Sequence, residues 1–321
     1  KLHFRYKPKY QLSGKTFQTS ETHHIFAMST SSEVSECSAS SKEVAENYTV
    51  IRSLGAGKFG TVKEVQKNGS KKRFAWKHID TERDPLCEDE VRLLQRFNGH
   101  EHIVCLHEVY SEQGVLDIML ELCTAGTLYD FLKTNFQACA GRTAMYCPPD
   151  QFQIANCLQH LLTALDFLHE NKVAHRDVKP ENVLLSGQNK WKLADFNLAC
   201  DFDPKHPMTE YAGTTPYLAP EVQQRRYTEK CDIYSMGVVF ISMVFGEKYL
   251  HPEMEEQSDA SVKAQDLLSE KRWKRGPVSC ARALALQMLS GEATRCSAKE
   301  ALQDPWMVRF QKGMNGCCVV C

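Results

Sequence analysis

Four side chains suited to holding a metal-bound nucleotide lie close together in the chain. Asp177, Lys179 and Asn182 fall in one short loop sequence, and Asp195 follows soon after. Carboxylate and amide oxygens are ligands that Mg²⁺ prefers, a lysine can neutralise a phosphate oxygen, and an acid can orient a hydroxyl. Each residue alone is more often a surface or capping residue. Their joint spacing predicts a site that holds a metal–nucleotide against a hydroxyl group.

Two short apolar segments are expected to position these side chains. Residues 183–185 (V-L-L) and 191–194 (W-K-L-A) read as two strands of a hairpin. Asp177 and Asn182 would then lie in the loop before the hairpin, and Asp195 would lie directly after it.

The segment H-R-D-V-K-P-E-N at 175–182 resembles the catalytic loop of eukaryotic-type protein kinases, and D-F-N at 195–197 resembles their D-F-G motif. The resemblance covers about residues 48–308. It implies an α+β fold of the bilobal protein kinase type. We expect a small antiparallel β lobe with one helix (48–122) and a larger, mainly α-helical lobe (123–308). In the small lobe, residues 104–110 are expected to form a hairpin. Lys179 and the segment G-T-T-P-Y-L-A-P-E at 213–221 are similar to the serine/threonine branch.

The resemblance implies a catalytic role for several residues. Asp177 is expected to orient the acceptor hydroxyl and take its proton, and Lys179 to reach the transferred phosphate. Thr214 is expected to bond to both of them. Asn182 and Asp195 are expected to bind Mg²⁺.

The same resemblance implies structural roles. His175 and Phe196 are expected to pack in the core, and Asp232 is expected to brace the catalytic loop. Glu221 is expected to pair with Arg295.

The motif G-A-G-K-F-G at 55–60 has two competing interpretations. A dinucleotide-binding fold needs a helix directly after the glycines and an acid about 20 residues on, a distance that Asp80 satisfies. Residues 61–65 (T-V-K-E-V) alternate with the period of a strand instead, which favours a strand–glycine loop–strand hairpin. In that hairpin, backbone N–H groups close over phosphates.

The kinase resemblance assigns a set of residues to ATP. Val62 and Ala75 are expected to cover the adenine, Leu120 to be the gatekeeper, and the backbone of Glu121 and Cys123 to hydrogen-bond the adenine. The full ATP-binding set is Leu54, Gly55, Ala56, Gly57, Lys58, Phe59, Gly60, Val62, Ala75, Lys77, Leu120, Glu121, Cys123 and Leu184.

A lysine on a predicted strand needs an acid to orient it. Lys77 resembles the phosphate-binding lysine of the family, and the next predicted helix offers Glu90. Glu90, Leu94 and Phe97 fall at i, i+4 and i+7, which places them on one helix face. That face would turn inward and carry Glu90 to Lys77.

Asn197 stands where the family has glycine. Asparagine is among the few other residues that visit positive φ at modest cost. The change is expected to alter the balance between the in and out states of the activation segment, or to add an amide hydrogen bond that favours one of them.

Arg176 precedes the catalytic Asp, and such an arginine commonly binds a phosphate on the activation segment. Aligned back from the A-P-E motif, the usual phosphosite falls at Glu210, with Thr209 beside it. Either Glu210 supplies the negative charge without phosphorylation, or Thr209 is the phosphosite.

Composition limits the class of protein. The net charge of −1 provides no global field that favours nucleic acid or an anionic membrane, and no nucleic-acid partner is expected. The 14 cysteines are scattered, which favours reduced thiols in the cytoplasm, with the nucleus as an alternative. We expect a monomer.

The two ends differ from the middle. Residues 1–47 are expected to be a disordered, Ser-rich extension whose natural start is Met28, so that residues 1–27 are not native. The Cys-rich tail at 309–321 ends in a box in which Cys317 and Cys318 are candidates for lipidation, which would add a membrane partner.

Long helices are expected in the second lobe. One runs from an Asp150 N-cap to Glu170, and another is the buried apolar segment at 236–245. A short helix is expected at 127–133, followed by a loop at 134–149.

Together these features predict a serine/threonine protein kinase that uses ATP and Mg²⁺ on protein substrates. The alternative from another class is a pseudokinase scaffold that binds nucleotide and acts through protein contacts.

Overall fold

A computed structural model describes residues 42–56, 60–84, 86–112, 114–139, 150–245, 273 and 281–311. Its first lobe is a five-stranded antiparallel sheet with the spatial order β1-β2-β3-β5-β4. The strands are β1 (Tyr48–Ala56), β2 (Gly60–Lys67), β3 (Arg73–Asp80), β4 (Leu106–Glu112) and β5 (Val115–Glu121).

The glycine motif joins two strands. Gly55 pairs with Val62 and Ala56 with Thr61 across the β1–β2 hairpin, and β2 begins at Gly60 itself. The hairpin interpretation is therefore confirmed, and the dinucleotide-binding interpretation is wrong. Gly60 has a packing reason to be glycine, because a Cβ there would lie 1.9 Å from the His78 carbonyl oxygen on β3.

Two predictions for the first lobe need correction. Residues 42–47 form helix α1 (Lys42–Asn47), although the whole of 1–47 was expected to be disordered. Helix α1 is ordered by tertiary packing, since Val44 is buried in a small apolar cluster with Tyr48 and Phe74. Residues 104–110 were expected to be a hairpin, but β4 is one continuous strand that pairs with β5.

The second lobe is mainly helical. Its helices are α3 (Leu128–Cys139), α4 (Gln151–Glu170), α5 (Pro220–Gln223), α6 (Lys230–Phe245), α7 (Ala281–Met288), α8 (Ala298–Leu302) and α9 (Pro305–Gln311). Two short strand pairs accompany them: β6 (Val173–Ala174) pairs with β9 (Cys200–Asp201), and β7 (Val183–Leu185) pairs with β8 (Trp191–Leu193). The predicted α+β bilobal architecture is confirmed, with helix α2 (Cys87–Arg96) in the first lobe.

Local sequence fixes the start of α4. The Asp150 side chain accepts from the Gln153 N–H, and the Gln153 side chain accepts from the Asp150 N–H, which is a complete capping box. The predicted N-cap is confirmed, and the apolar stripe from Ile154 to Leu168 is buried as expected. Helix α3 continues to Cys139, so the prediction that a loop begins at 134 is wrong. Leu128 and Leu132 anchor its first turns in the core.

One continuous apolar cluster connects the two lobes. It runs from Ile79 and Ile118 in the sheet, through Leu94 and Phe97, to the helices of the second lobe. Nearly every side chain of α6 is buried, which agrees with its predicted role as a core helix. Among the residues that the structure describes, no helix is both long and apolar enough to cross a membrane.

Several predicted sites fall outside the described residues. These are the glycine-loop residues Gly57, Lys58 and Phe59, and the lipidation candidates Cys317 and Cys318.

Candidate active site

A cleft with a volume of about 890 Å³ lies between the two lobes. Strands β1–β3 form its roof, the segment after β5 forms its back, and the loops around the β7–β8 hairpin form its floor. Many of the predicted ATP-binding residues line it, namely Leu54, Gly55, Gly60, Val62, Ala75, Lys77, Leu120, Glu121, Cys123 and Leu184. Ala56, which was also assigned to ATP, does not line it.

Lys77 makes the predicted ion pair with helix α2. Its Nζ donates to both carboxylate oxygens of Glu90 at 2.8 Å, and Glu90 is only 1% exposed. Lys77 Nζ also lies 2.9 Å from Asp195 Oδ1. The amphipathic spacing of α2 produces this arrangement, because Leu94 and Phe97 pack inward on the same face as Glu90.

Charge pairing determines the ionisation states of Lys77 and Asp195. Burial acts to lower the pKa of Lys77, but the carboxylates of Glu90 and Asp195 outweigh it and raise that pKa above its ordinary value. Burial likewise acts to raise the pKa of Asp195, and the ammonium of Lys77 brings it below its ordinary value. Lys77 is therefore a fixed cation and Asp195 a fixed anion at neutral pH.

The floor of the cleft holds a second polar cluster around Asp177. The Thr214 hydroxyl donates to Asp177 Oδ1 at 2.7 Å and accepts from Lys179 Nζ at 2.9 Å. Lys179 Nζ also lies 2.7 Å from Asp177 Oδ2, and Asn182 Nδ2 donates to that same oxygen at 2.9 Å. The structure thus brings together all four of these predicted catalytic-loop and activation-segment residues.

Close backbone contact places Thr214 there. Gly213 has φ of 119°, in a region that L side chains rarely adopt, and a Cβ on it would lie 2.6 Å from the Arg176 carbonyl oxygen. Glycine is required at this position because the activation segment meets the catalytic loop backbone to backbone.

Asp232 braces the catalytic loop as expected. Its carboxylate accepts from the backbone N–H groups of His175 and Arg176 at 2.8 and 2.7 Å, and it contacts His169 Nε2 at 2.9 Å. The brace holds Arg176 at φ of 66°, a strained conformation for a residue with a side chain. Farther out, the predicted pair between Glu221 and Arg295 also forms.

His175 packs in the core and has no free ring nitrogen. Its Nε2 contacts the Ala194 carbonyl oxygen at 3.1 Å, and its Nδ1 accepts from the Asp177 N–H at 3.3 Å. Burial lowers the pKa of His175, so the ring is neutral. Phe196 stacks edge-on against it at 5.0 Å, and both side chains are fully buried.

The oxygens of Asn182 and Asp195 fit the donor set that Mg²⁺ prefers. Both hydrogen bonds of Asn182 Nδ2 go to Asp177, which orients the amide and turns its Oδ1 away from that residue. Asp195 is an ionised carboxylate that lines the same cleft. Its φ of 63° belongs to the left-handed region, a strain that is common at functional sites.

At the back of the cleft, one of the backbone groups that could hydrogen-bond adenine is already in use. The Glu121 N–H already donates to the Cys105 carbonyl oxygen at 2.8 Å. Recognition of adenine by Glu121 would therefore use its carbonyl oxygen, with the Cys123 backbone supplying further bonds. The Leu120 side chain is half-buried opposite Ala75, the residue that it pairs with on β3.

Asn197 does not use the freedom of the glycine that it replaces. Positive φ occurs at Asp195, and Asn197 is not among the described residues with positive φ. The expected amide hydrogen bond is also missing, since Asn197 Oδ1 is buried without a partner among the described residues. Within the described part of the chain, the amide oxygen therefore makes no hydrogen bond in this state, and the expected change in the balance between the in and out states of the activation segment stays a prediction. Its side chain lines the cleft next to Asp195.

Glu210 reaches Arg176 as predicted. Arg176 Nη1 donates to Glu210 Oε2 at 2.7 Å, and Arg176 Nε donates to the Leu198 carbonyl oxygen at 2.7 Å. The Tyr227 hydroxyl donates to the Glu210 carbonyl oxygen at 2.7 Å and holds the backbone in place. Thr209 is exposed beside it.

Sequence reasoning missed one charged contact near the site. Asp201, at the end of β9, pairs with Arg92 and Arg96 of helix α2. The i, i+4 spacing of two arginines was visible, but their partner lies more than a hundred residues away in the chain.

Comparisons with known proteins agree with this architecture. A family profile described as protein kinase domain matches residues 48–307. Serine/threonine-protein kinase PEPKR2 of Arabidopsis thaliana is 30% identical over 281 residues, which cover 87% of this chain and 57% of that protein. Calcium-dependent protein kinase 1 of Oryza sativa subsp. japonica is 30% identical over 278 residues, which cover 83% of this chain and 51% of that protein.

Another relative is similar over a shorter range. Serine/threonine-protein kinase grp of Drosophila melanogaster is 31% identical over 216 residues, which cover 65% of this chain and 40% of that protein. The chain spans about half the length of the curated relatives that it matches. A β lobe and a helical lobe, with a cleft between them, define the bilobal protein kinase fold. The chain belongs to the eukaryotic-type serine/threonine protein kinase family.

Proposed function

We propose that this chain is an active serine/threonine protein kinase, which transfers the γ-phosphoryl group of ATP to protein hydroxyls. The observation that carries the proposal is the set of contacts joining Asp177, Lys179 and Thr214 on the floor of a cleft whose roof holds Lys77, paired with Glu90. Phosphoryl transfer depends mainly on positioning and charge neutralisation, and these residues provide both.

Hydrogen-bond capacity assigns the base to one atom of Asp177. Its Oδ2 receives Lys179 and Asn182, whereas Oδ1 receives only Thr214 among the described residues. A carboxylate oxygen has two acceptor sites, so Oδ1 keeps one for the acceptor hydroxyl. Asp177 Oδ1 would orient that hydroxyl and accept its proton as transfer completes.

Two lysines and two metal ligands would together neutralise the charge of the phosphates. The ammonium of Lys179 uses two of its three protons on Asp177 and Thr214, which leaves one for the transferred group. Lys77 would bind the other phosphates, and Asn182 and Asp195 would hold Mg²⁺. When bound, the metal neutralises phosphate charge and fixes the nucleotide against the cleft.

Lys77 has to change partner for this role. In the structure its Nζ contacts Asp195 as well as Glu90. Lys77 would leave the Asp195 carboxylate to reach phosphate, while Glu90 would keep it pointing into the cleft. The buried pair with Glu90 therefore acts as the fixed support.

The competing function is a nucleotide-binding scaffold without turnover. Both functions predict binding of ATP–Mg²⁺, so binding and turnover should be measured on one preparation with a degenerate Ser/Thr peptide library. Transfer that exceeds the Asp177→Asn variant supports the enzyme. Binding of nucleotide with no transfer above that variant supports the scaffold.

A further inference from the structure

A single carboxylate joins helix α2 to the start of the activation segment. Asp201 Oδ2 lies 2.7 Å from Arg92 Nη2, and Asp201 Oδ1 accepts from Arg96 Nη1 at 2.8 Å. Each carboxylate oxygen thus receives one guanidinium group. Arg92 and Arg96 are four residues apart, so they lie on one face of α2.

Asp201 is tied to the catalytic loop through the backbone. It pairs with Val173 in the β6–β9 ladder, and β6 ends directly before His175. Arg96 Nη2 also donates to the Asn171 carbonyl oxygen at 2.6 Å, at the C-cap of α4. The arginine face of α2 is therefore fastened to the second lobe at two points.

The same helix carries Glu90 on its buried face. Glu90 precedes Arg92 by two residues, and it is the carboxylate that orients Lys77. A shift of α2 away from β9 would draw Glu90 away from Lys77, because a helix moves largely as a rigid rod. The contacts of Asp201 therefore affect how close Glu90 lies to the nucleotide-binding Lys77.

Stability alone does not explain this network. The side chains of Asp201, Arg92 and Arg96 are 48%, 48% and 39% exposed, and exposed ion pairs contribute little to stability. The network has a more specific geometry than an isolated pair, since one carboxylate receives two arginines and one of these also binds a helix C-cap. Its effect should appear in the position of α2.

We propose that Asp201 is a positioning residue, which holds helix α2 through Arg92 and Arg96 where Glu90 orients Lys77. The beginning of the activation segment then controls the nucleotide-binding pair directly. The expected change in rate rests on the proposed kinase function, whereas the expected change in the helix does not.

The test compares Asp201→Asn with two controls. Asp203→Asn is the matched control, because Asp203 is exposed two residues away and pairs with His206. Asp201→Glu is the conservative variant that keeps the charge. Hydrogen exchange of the α2 amides is measured in each full-length protein, together with KM for ATP and kcat.

We expect Asp201→Asn to speed exchange in α2 and raise KM for ATP by about fivefold, the upper end for loss of an exposed ion pair, with a smaller change in kcat. Asp203→Asn should match the wild type. Asp201→Glu, which keeps the charge, should retain most of the wild-type exchange protection of α2 and KM for ATP. Adding Arg92→Gln to Asp201→Asn should cause little further change, because among the described residues Arg92 contacts the second lobe through Asp201 alone.

Equal α2 exchange in Asp201→Asn and Asp203→Asn would overturn the proposal. Additive effects of Arg92→Gln and Asp201→Asn would also overturn it. If the wild type shows no turnover, the proposed kinase function fails, and the exchange comparison still decides the role of Asp201.

Discussion

Arg176, which directly precedes Asp177, binds the carboxylate of Glu210 on the activation segment at 2.7 Å. The guanidinium of Arg176 is buried and Glu210 is exposed, so the Glu210 carboxylate contacts the buried guanidinium from the solvent side. This is the position where a phosphorylated residue commonly supplies the charge. The carboxylate of Glu210 occupies that place without any modification.

We therefore expect unphosphorylated protein to be active. Glu210→Gln keeps the size of the side chain and removes its charge, and it should lower kcat of phosphatase-treated protein by about tenfold, as for loss of one charge-assisted hydrogen bond. The measurement is steady-state peptide phosphorylation. Thr209→Ala is the matched control and should retain wild-type activity.

The competing interpretation makes the opposite predictions. If Thr209 is the phosphosite, phosphatase treatment should silence the wild type, and Thr209→Ala should be inactive. Glu210→Gln would then have little effect.

Loss of Lys77 should reveal the cost of a buried carboxylate. Lys77→Met leaves Glu90 without its cation, which should lower the free energy of unfolding by about 3–5 kcal/mol if Glu90 stays charged. Burial raises the pKa of Glu90, so the variant will bind a proton there on folding. A folded-state pKa above the unfolded value makes stability fall as pH rises through that interval. Denaturant unfolding of Lys77→Met should therefore show less destabilisation at pH 5 than at pH 8.

The control for this prediction removes both charges. Lys77→Met combined with Glu90→Gln should be more stable at pH 8 than Lys77→Met alone. No gain from the second substitution would show that Glu90 does not carry the cost.

Asn197 can be tested by the stability of two variants. Asn197→Ala removes a buried oxygen that has no partner among the described residues, and it should raise the free energy of unfolding by about 1 kcal/mol. Asn197→Gly removes the same oxygen but adds backbone freedom in the unfolded chain, which costs about 0.5–1 kcal/mol, so it should stay close to the wild type. Thermal and denaturant unfolding compare the three proteins. A glycine variant more stable than the alanine variant would show that this position needs the conformational freedom of glycine.

Three histidines between α2, α4 and β8 predict a loss of stability in mild acid. His160 stacks on His102 at 4.1 Å and accepts from the Trp191 N–H at 3.2 Å. Burial lowers the pKa of His160 to about 4, and it also lowers the pKa of His100 and of His102. The neighbouring Lys190 opposes protonation of His160, and Glu101 favours it.

The sign follows from which state binds the proton. Between an ordinary pKa near 6.5 and about 4, the unfolded chain protonates His160 and the folded chain does not. Stability should therefore fall as pH is lowered through that window, by roughly 1–3 kcal/mol for His160. His160→Gln keeps an acceptor for Trp191 and should reduce the slope of unfolding free energy against pH. An equal slope in the wild type and in His160→Gln would contradict the prediction.

Much of the fold follows from local signals in the sequence. The capping box of Asp150 and the leucine stripe of α4 are encoded within one helix, so both were predictable. The Lys77–Glu90 pair was predictable because helical periodicity placed Glu90 on the face of Leu94. The contacts of Thr214 with Asp177 and Lys179 were expected only through the resemblance, since they join segments far apart in the chain.

The features that were missed depend on tertiary packing. The composition of residues 42–47 favours disorder, and the burial of Val44 against Tyr48 and Phe74 makes them helical. The contact of Asp201 with α2 has no signal in either segment alone. At Asn197 the residue type allowed a positive φ, but the chain places that conformation at Asp195, whose carboxylate pairs with Lys77.

The central claim is that Asp177 serves a working phosphotransferase. The most direct measurement is transfer from γ-labelled ATP with Mg²⁺ to a Ser/Thr/Tyr peptide mixture, followed by identification of the labelled amino acids. We expect label on phosphoserine or phosphothreonine, and a loss of about a thousandfold in kcat for Asp177→Asn, which keeps the fold and removes the proton acceptor. Label no higher in the wild type than in Asp177→Asn, or label on phosphotyrosine alone, would contradict the account.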